Sequence, residues 1–166
     1  MVETVLHEIP VFDGLDRKQI DELSSWLQRK EFEPAELIIK EGTVPDGLYV
    51  LAKGTVDVFK ESVMKPLAIA ELDAPSVFGE MGLLLVETQR SASVRAKTKV
   101  IAGFLPTALF NTKLAANNLA ALRIALNLGR ISSERLRATT CRLTGLLEEL
   151  TLHALRTELH GIEGRK

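Results

Sequence analysis

The apolar positions change period twice along the chain, and each period predicts a different kind of element. Residues 11–29, VFDGLDRKQIDELSSWLQR, place Ile20, Leu23, Trp26 and Leu27 on one helical stripe, with Asp16 positioned to cap its start. Trp26 on that stripe is expected in the core. From Phe32 onward the apolar residues recur at strand spacing. Residues 37–41 (LIIKE) read as a strand ending at Gly42, and Pro45-Asp46-Gly47 as a turn. Residues 48–59 read as two strands about Lys53-Gly54, with Leu48, Val50, Ala52, Val56 and Val58 alternating as half-buried strands do. LAIAEL (67–72), SVRA (93–96) and VIAGFL (100–105) add strands, with turns at 61–66 and at Asp73-Ala74-Pro75. Several short strands divided by turns predict a small β-barrel or sandwich. Gly42, Gly47 and Gly54 are expected to be its turn glycines.

At Pro106 the period becomes helical. Proline suits the first turn of a helix over 106–114, and Asn117-Asn118 reads as a break or cap. A second helical stretch runs from about 118 to 158. If continuous it would span roughly 60 Å, more than one small roll can cover. Positions 119, 122, 126, 129, 133, 136, 140, 143, 147, 150, 154 and 157 alternate steps of three and four. This is a heptad seam, imperfect in the middle and good from 136 to 150. A helix lying on its own body needs only one apolar stripe, so the second half predicts a homodimer joined along this helix. Gly129 and Gly145 each weaken the helix by about 1 kcal/mol relative to alanine and mark a bend or a close helix crossing.

Composition narrows the function. The chain has 166 residues, 46% of them hydrophobic, enough for one compact domain plus an extra element. The 21 basic and 22 acidic side chains give a net charge of −1, which argues against direct nucleic-acid binding. There is no apolar run long enough for a membrane span and no signal-peptide pattern at the start, so no membrane partner is expected. The single cysteine, Cys141, excludes an internal disulfide and fits a reducing compartment, so the cytoplasm is the expected location. Cys141 itself reads as a small packing residue. Ile162 to Arg165 spell a common engineered protease site; 161–166 are set aside as a cloning remnant, after which a natural chain would continue. His7, His153 and His160 have no carboxylate or cysteine at ligand spacing, and no GxxxxGK[ST] or GxGxxG occurs. No catalytic residue, metal or cofactor is expected, and the chain is not read as an enzyme.

Residues 78–96, FGEMGLLLVETQRSASVRA, carry the chemistry. Gly79 and Gly82 let the backbone approach a ligand closely. The amides around Glu80 to Leu83 can point at an anion if they open a helical turn. Arg90 supplies a guanidinium for phosphate charge. Glu80, itself an anion, suits a sugar hydroxyl rather than a phosphate. Separately, a Gly-Glu pair or an Arg-Ser pair is ordinary turn chemistry; together in one frame they match a small cyclic phosphate ester.

This stretch resembles the phosphate-binding cassette of the cyclic nucleotide-binding domain family, with its nearest pattern in the bacterial catabolite activators, the cAMP receptor proteins. The resemblance lies in the FGE-x-G-L start, the RSA-x-VRAKT that follows, and the ten-residue step from Glu80 to Arg90. That step is one residue shorter in kinase regulatory subunits. Gln89 stands where many relatives carry proline, which implies a looser turn. The F-x-G-L of residues 12–15 also matches the family's N-terminus, and Ala35 stands where relatives usually have glycine, at small cost if its φ is negative. The implied fold is α+β, mainly β: a double-stranded β-helix or jelly-roll-like roll with flanking helices and a long C-terminal helix. The implied domains are a roll with its N-terminal helix over 1–113 and the helix for ligand capping and dimerisation over 114–160.

The resemblance further implies ligand contacts from Phe78, Gly79, Glu80, Met81, Gly82, Leu83, Arg90, Ser91 and Ala92, with Glu80 on the ribose 2′-hydroxyl and Arg90 and Ser91 on the phosphate. SERLRATTCRL (133–143) lines up with the activators' central helix, which implies Arg135 near the ligand, Thr139 on the base from its own subunit and Thr140 from the partner. Without the cassette, a helical threonine would simply bond back to its own helix. The implied function is a cyclic nucleotide-binding regulatory module that couples its ligand to rearrangement of the long helix. It would stand alone or serve as the sensor of a bacterial transcription regulator, acting on an unknown downstream protein. cAMP is favoured over cGMP, since Thr139-Thr140 suits adenine. The alternatives are a ligand-free protein-interaction module of the same fold and a sensor for another small ligand, such as cGMP or an organic acid.

Overall fold

The computed structural model describes residues 5–63, 65–84 and 89–163; side chains at 135, 138, 139, 142, 143, 146 and from 148 onward lie outside the description. The chain divides into two compact units, Met1–Gly129 and Arg130–Lys166.

The first unit begins with two 3₁₀ turns, Leu6–Glu8 and Pro10–Phe12. Helix α1, Arg17–Trp26, follows and is closed by a reciprocal capping box. The Gln19 amide donates to Asp16 Oδ1 at 2.8 Å, and the Asp16 amide donates to Gln19 Oε1 at 3.0 Å. Ile20, Leu23 and Trp26 are buried, as the stripe predicts. Eight strands then build the roll: β1 Gln28–Phe32, β2 Leu37–Ile39, β3 Gly47–Lys53, β4 Thr55–Lys60, β5 Leu67–Asp73, β6 Ser76–Phe78, β7 Ser93–Ala96 and β8 Val100–Pro106. They form two four-stranded antiparallel sheets, in orders β1-β8-β3-β6 and β2-β7-β4-β5. Ile39, Tyr49, Leu51, Val56, Phe78, Val94, Val100 and Phe104 fill the space inside the roll. Tyr49 stacks on Phe78 with ring centroids 5.1 Å apart.

Helix α2 (Met81–Leu84) leads out of β6, and α3 (Thr107–Ala115) follows β8. Helix α4 runs from Leu119 to Glu163 and so crosses the boundary between the units. Asn117, at φ 56°, makes the break before it, and Asn118 Oδ1 accepts from the Ala121 amide at 3.1 Å. In the first turns of α4 the buried residues are Ala120, Ala121, Ile124, Asn127 and Leu128. Asn127 Nδ2 donates to the carbonyls of Val11 at 3.1 Å and Asp13 at 2.9 Å. Arg123 donates to the Gly14 carbonyl. These bonds fasten the N-terminal turns to the start of α4.

Four sequence expectations need correction. Leu48, Tyr49, Val50 and Leu51 are all buried, so β3 is covered on both faces rather than half-buried. Gly47 is no turn residue: it opens β3, and a Cβ there would lie 2.3 Å from the Leu105 carbonyl oxygen. Ala35 has φ 71°, a left-handed conformation that costs an L-residue about 1–2 kcal/mol. Its amide donates to the Ala96 carbonyl at 2.8 Å, which holds it there. Cys141 is exposed, so it is no packing residue among the described residues.

In the second unit, the described seam residues Ser133, Leu136, Thr140 and Leu147 are exposed. Leu119, Leu122 and Leu126, earlier on the same seam, are exposed as well. Among the described residues, a Cβ at Gly129 or Gly145 would meet nothing within 4 Å.

Candidate functional site

The segment between β6 and β7 carries the chain from one sheet to the other, and the cassette residues lie along it. Phe78 ends β6 with its ring in the roll interior. Gly79 then takes φ 78°, which turns the chain into α2. The turn closes on itself: the Gly82 amide donates to the Gly79 carbonyl at 3.2 Å and the Leu83 amide to the Glu80 carbonyl at 3.0 Å. Two of the amides expected to face an anion are therefore engaged within the turn. Gly82 is buried, and a Cβ there would lie 2.4 Å from Pro45 Cβ. Leu83 is buried, Glu80 half-buried and Met81 exposed. Residues 85–88 lie outside the described residues.

Arg90 is the centre of the arrangement and is only 6% exposed. Its backbone is laced to the loop before β3: the Arg90 amide donates to the Thr43 carbonyl at 2.8 Å, and the Gly42 amide to the Arg90 carbonyl at 2.9 Å. The Glu41 amide donates to Ser93 Oγ at 3.0 Å, extending the same seam. The guanidinium lies between three acceptors. Nη1 donates to the Gly79 carbonyl at 3.0 Å, and Nη2 donates to the Gly47 carbonyl and to Asp46 Oδ1, each at 2.7 Å. A Cβ on Gly79 would come within 2.7 Å of Nη1, so glycine there is needed for space as well as for φ. A buried guanidinium costs free energy unless its donors are satisfied, and this one is held by neighbours from β3, the turn after β6 and the loop between β2 and β3. Burial pushes the nearby Tyr49 phenol above its usual value; the Asp46 carboxylate adds to this and Arg90 opposes it.

Ser91 and Ala92 follow Arg90 at the rim. Ser91 is exposed, and its hydroxyl donates to the Met81 sulfur at 3.7 Å. The structure thus gathers Gly79, Gly82, Met81, Arg90 and Ser91 around one turn. Arg135 and Thr139 lie on α4 in the other unit, and their side chains are outside the described residues. Thr140 is exposed, and its hydroxyl donates to the Leu136 carbonyl of its own helix at 2.9 Å.

Asp46 is the residue that sequence reasoning missed. It read as a turn former, and nothing in its spacing links it to an arginine 44 positions later. Its side chain is 66% exposed, so it meets the buried guanidinium from the solvent side. Among the described residues no cluster of His, Cys, Asp and Glu could hold a metal, and no helix is long and apolar enough to cross a membrane.

Comparison with known proteins places this geometry. The model of the cyclic nucleotide-binding domain matches residues 29–117, more than half of the chain. A cAMP-dependent protein kinase regulatory subunit of Emericella nidulans is 36% identical over 100 residues, which are 60% of this chain and 24% of that protein. The cyclic AMP receptor protein of Thermus thermophilus is 34% identical over 119 residues, 68% of this chain and 55% of that one. The crystal structure of the Thermus thermophilus catabolite activator protein superposes with a TM-score of 0.73 at 28% identity, covering 82% of this chain and 62% of that chain. The chain thus spans about a quarter of the kinase subunit and about half of the receptor protein. With the two-sheet roll, the Gly79 turn and the buried Arg90 in place, the chain belongs to the cyclic nucleotide-binding domain family.

Proposed function

We propose that this chain binds cAMP in the cassette and passes its occupancy on to helix α4, as a regulatory module rather than a catalyst. The observation that carries the reading is Arg90: a guanidinium almost wholly buried, braced by two carbonyls and Asp46, beside a left-handed Gly79 and a short helical turn. Arg90 and Ser91 take the phosphate, and Glu80 the ribose 2′-hydroxyl. Because Arg90 is already partnered, the ligand must compete with Asp46 for it, and the exposed Asp46 carboxylate is the partner free to turn into solvent. Thr139 serves the base from its own subunit and Thr140 from the partner, giving up its bond to Leu136, with Arg135 near the ligand. The names of the relatives above, a cAMP receptor protein and a cAMP-dependent kinase subunit, support cAMP as the ligand.

The exposed leucines of the seam support pairing of α4 with a second copy. The output is then the state of that helix, read by a downstream protein or by a DNA-binding segment in a longer chain. Titration of cAMP and cGMP into nucleotide-stripped protein by calorimetry tests the ligand. Tight cAMP binding, lost in Arg90→Ala and weakened in Ser91→Ala, is the expected result. Thermal unfolding of Arg90→Ala distinguishes lost binding from lost fold. Absence of heat from either nucleotide overturns the reading and leaves α4 as the surface of a ligand-free interaction module.

A further inference from the structure

Three methionines occur in the chain, and Met81 is the one within the described residues. It sits between Glu80 and Gly82 at the start of α2 and is 48% exposed. Its sulfur accepts the hydroxyl of Ser91, the residue that follows the buried Arg90. A large apolar side chain so open to solvent contributes little to the core. What it does is occupy the single proton of the Ser91 hydroxyl with a weak acceptor. A thioether gives that proton up readily to a phosphate oxygen.

We propose that Met81 is a reversible oxidation site that lowers the affinity of the cassette. The step is a two-electron oxygen transfer from a hydroperoxide. The sulfur lone pair attacks the distal peroxide oxygen, the O–O bond breaks, and the thioether becomes a sulfoxide while the peroxide leaves as water or alcohol. The sulfoxide oxygen is a much stronger acceptor than the thioether it replaces, so it retains the Ser91 proton. It also places a partly negative oxygen beside the position the phosphate would take. Arg90 is untouched, so binding is weakened and not abolished. Exposure gives the oxidant access, and a sulfoxide reductase could reverse the change.

This inference rests on nucleotide binding at the cassette, so the unoxidised protein is titrated first. The full chain is then treated with hydrogen peroxide, Met81 sulfoxide is quantified by peptide mass spectrometry, and cAMP is titrated again. Affinity is expected to fall about tenfold and to recover with methionine sulfoxide reductases A and B. It is not expected to recover with dithiothreitol, which would instead implicate the exposed Cys141. Met81→Leu, whatever its starting affinity, should show the same value before and after peroxide. Bound cAMP should slow sulfoxide formation at Met81. Full oxidation at Met81 with unchanged affinity, or an equal loss in Met81→Leu, overturns this proposal alone. No cAMP binding before oxidation overturns it together with the nucleotide reading.

Discussion

The two sheets of the roll differ in what covers them. In β1-β8-β3-β6 the central strands are buried except toward Lys53 and Pro106: Leu48, Val50 and Leu105 are fully covered although they lie outside the cluster that fills the roll. Helices α2 and α3 contact β3, and α3 also contacts β8. In β2-β7-β4-β5 the edge strand β5 is exposed nearly along its length, including Leu67 and Ile69. Its neighbours carry a polar outer surface in which Lys97 pairs with Glu71 and Arg95 lies over the Phe59 ring. One sheet is the keel of the molecule and the other a single-sided wall. The cassette bridges the two, so Arg90, just ahead of β7 in the wall, is braced by Gly47 and Gly79 at the rim of the keel. The site joins the most constrained part of the fold to the least.

Substitutions can test that contrast. Leu105→Ala, in the doubly covered sheet, should cost about 2–5 kcal/mol, whereas Ile69→Ala on the exposed edge should cost well under 1 kcal/mol. Chemical denaturation of the pair measures the difference, and equal losses would mean that β5 is covered by something the single chain does not show. Gly79→Ala, at the junction, combines a left-handed residue with a Cβ crowded by Arg90. A stability loss of about 2 kcal/mol is expected. Calorimetry with cAMP should also show weaker binding, since the guanidinium must move. Gly145→Ala on α4 should stabilise its helix by about 1 kcal/mol, because the added methyl meets nothing among the described residues. Thermal melts at two protein concentrations check this, and a loss in place of a gain would reveal a close helix crossing between copies. Ala35→Gly should stabilise by about 0.5–1 kcal/mol, the left-handed strain outweighing the greater chain entropy of glycine. Its unfolding midpoint should rise while cAMP affinity stays as in the parent protein.

What could be read from the sequence depended on whether a residue's role is local. The cap at Asp16, the break at Asn117-Asn118 and the two strands either side of Gly54 are all short-range patterns, and each appears where expected, the two strands falling in different sheets. Strand β1 was obscured because Gln28 to Glu31 are polar and exposed, so no apolar alternation marks it before Phe32. Strand β6 is only three residues long and lies directly against the glycine turn. The burial of β3 involves helices α2 and α3, distant from it in the chain, and no periodicity within the strand reports that. The same holds for the site. Its glycines and Arg90 could be named from spacing, but Asp46 reaches Arg90 only through the pairing of distant loops. The left-handed turn at Ala35 is hard to read for a different reason: alanine itself gives no local sign of positive φ, and only the glycine usual there in relatives points to it.

The hydrogen bonds from Asn127 to the carbonyls of Val11 and Asp13 bear on how the protein could be cut or fused. The recognisable domain spans 29–117, but the piece that must fold together reaches from at least Leu6 to Leu128. A fragment trimmed to the recognisable limits would cut the buried Leu6, Phe12, Leu23, Ile124 and Leu128 out of the core. Such a fragment would aggregate, and a sensor or fusion built on this fold should keep both flanks.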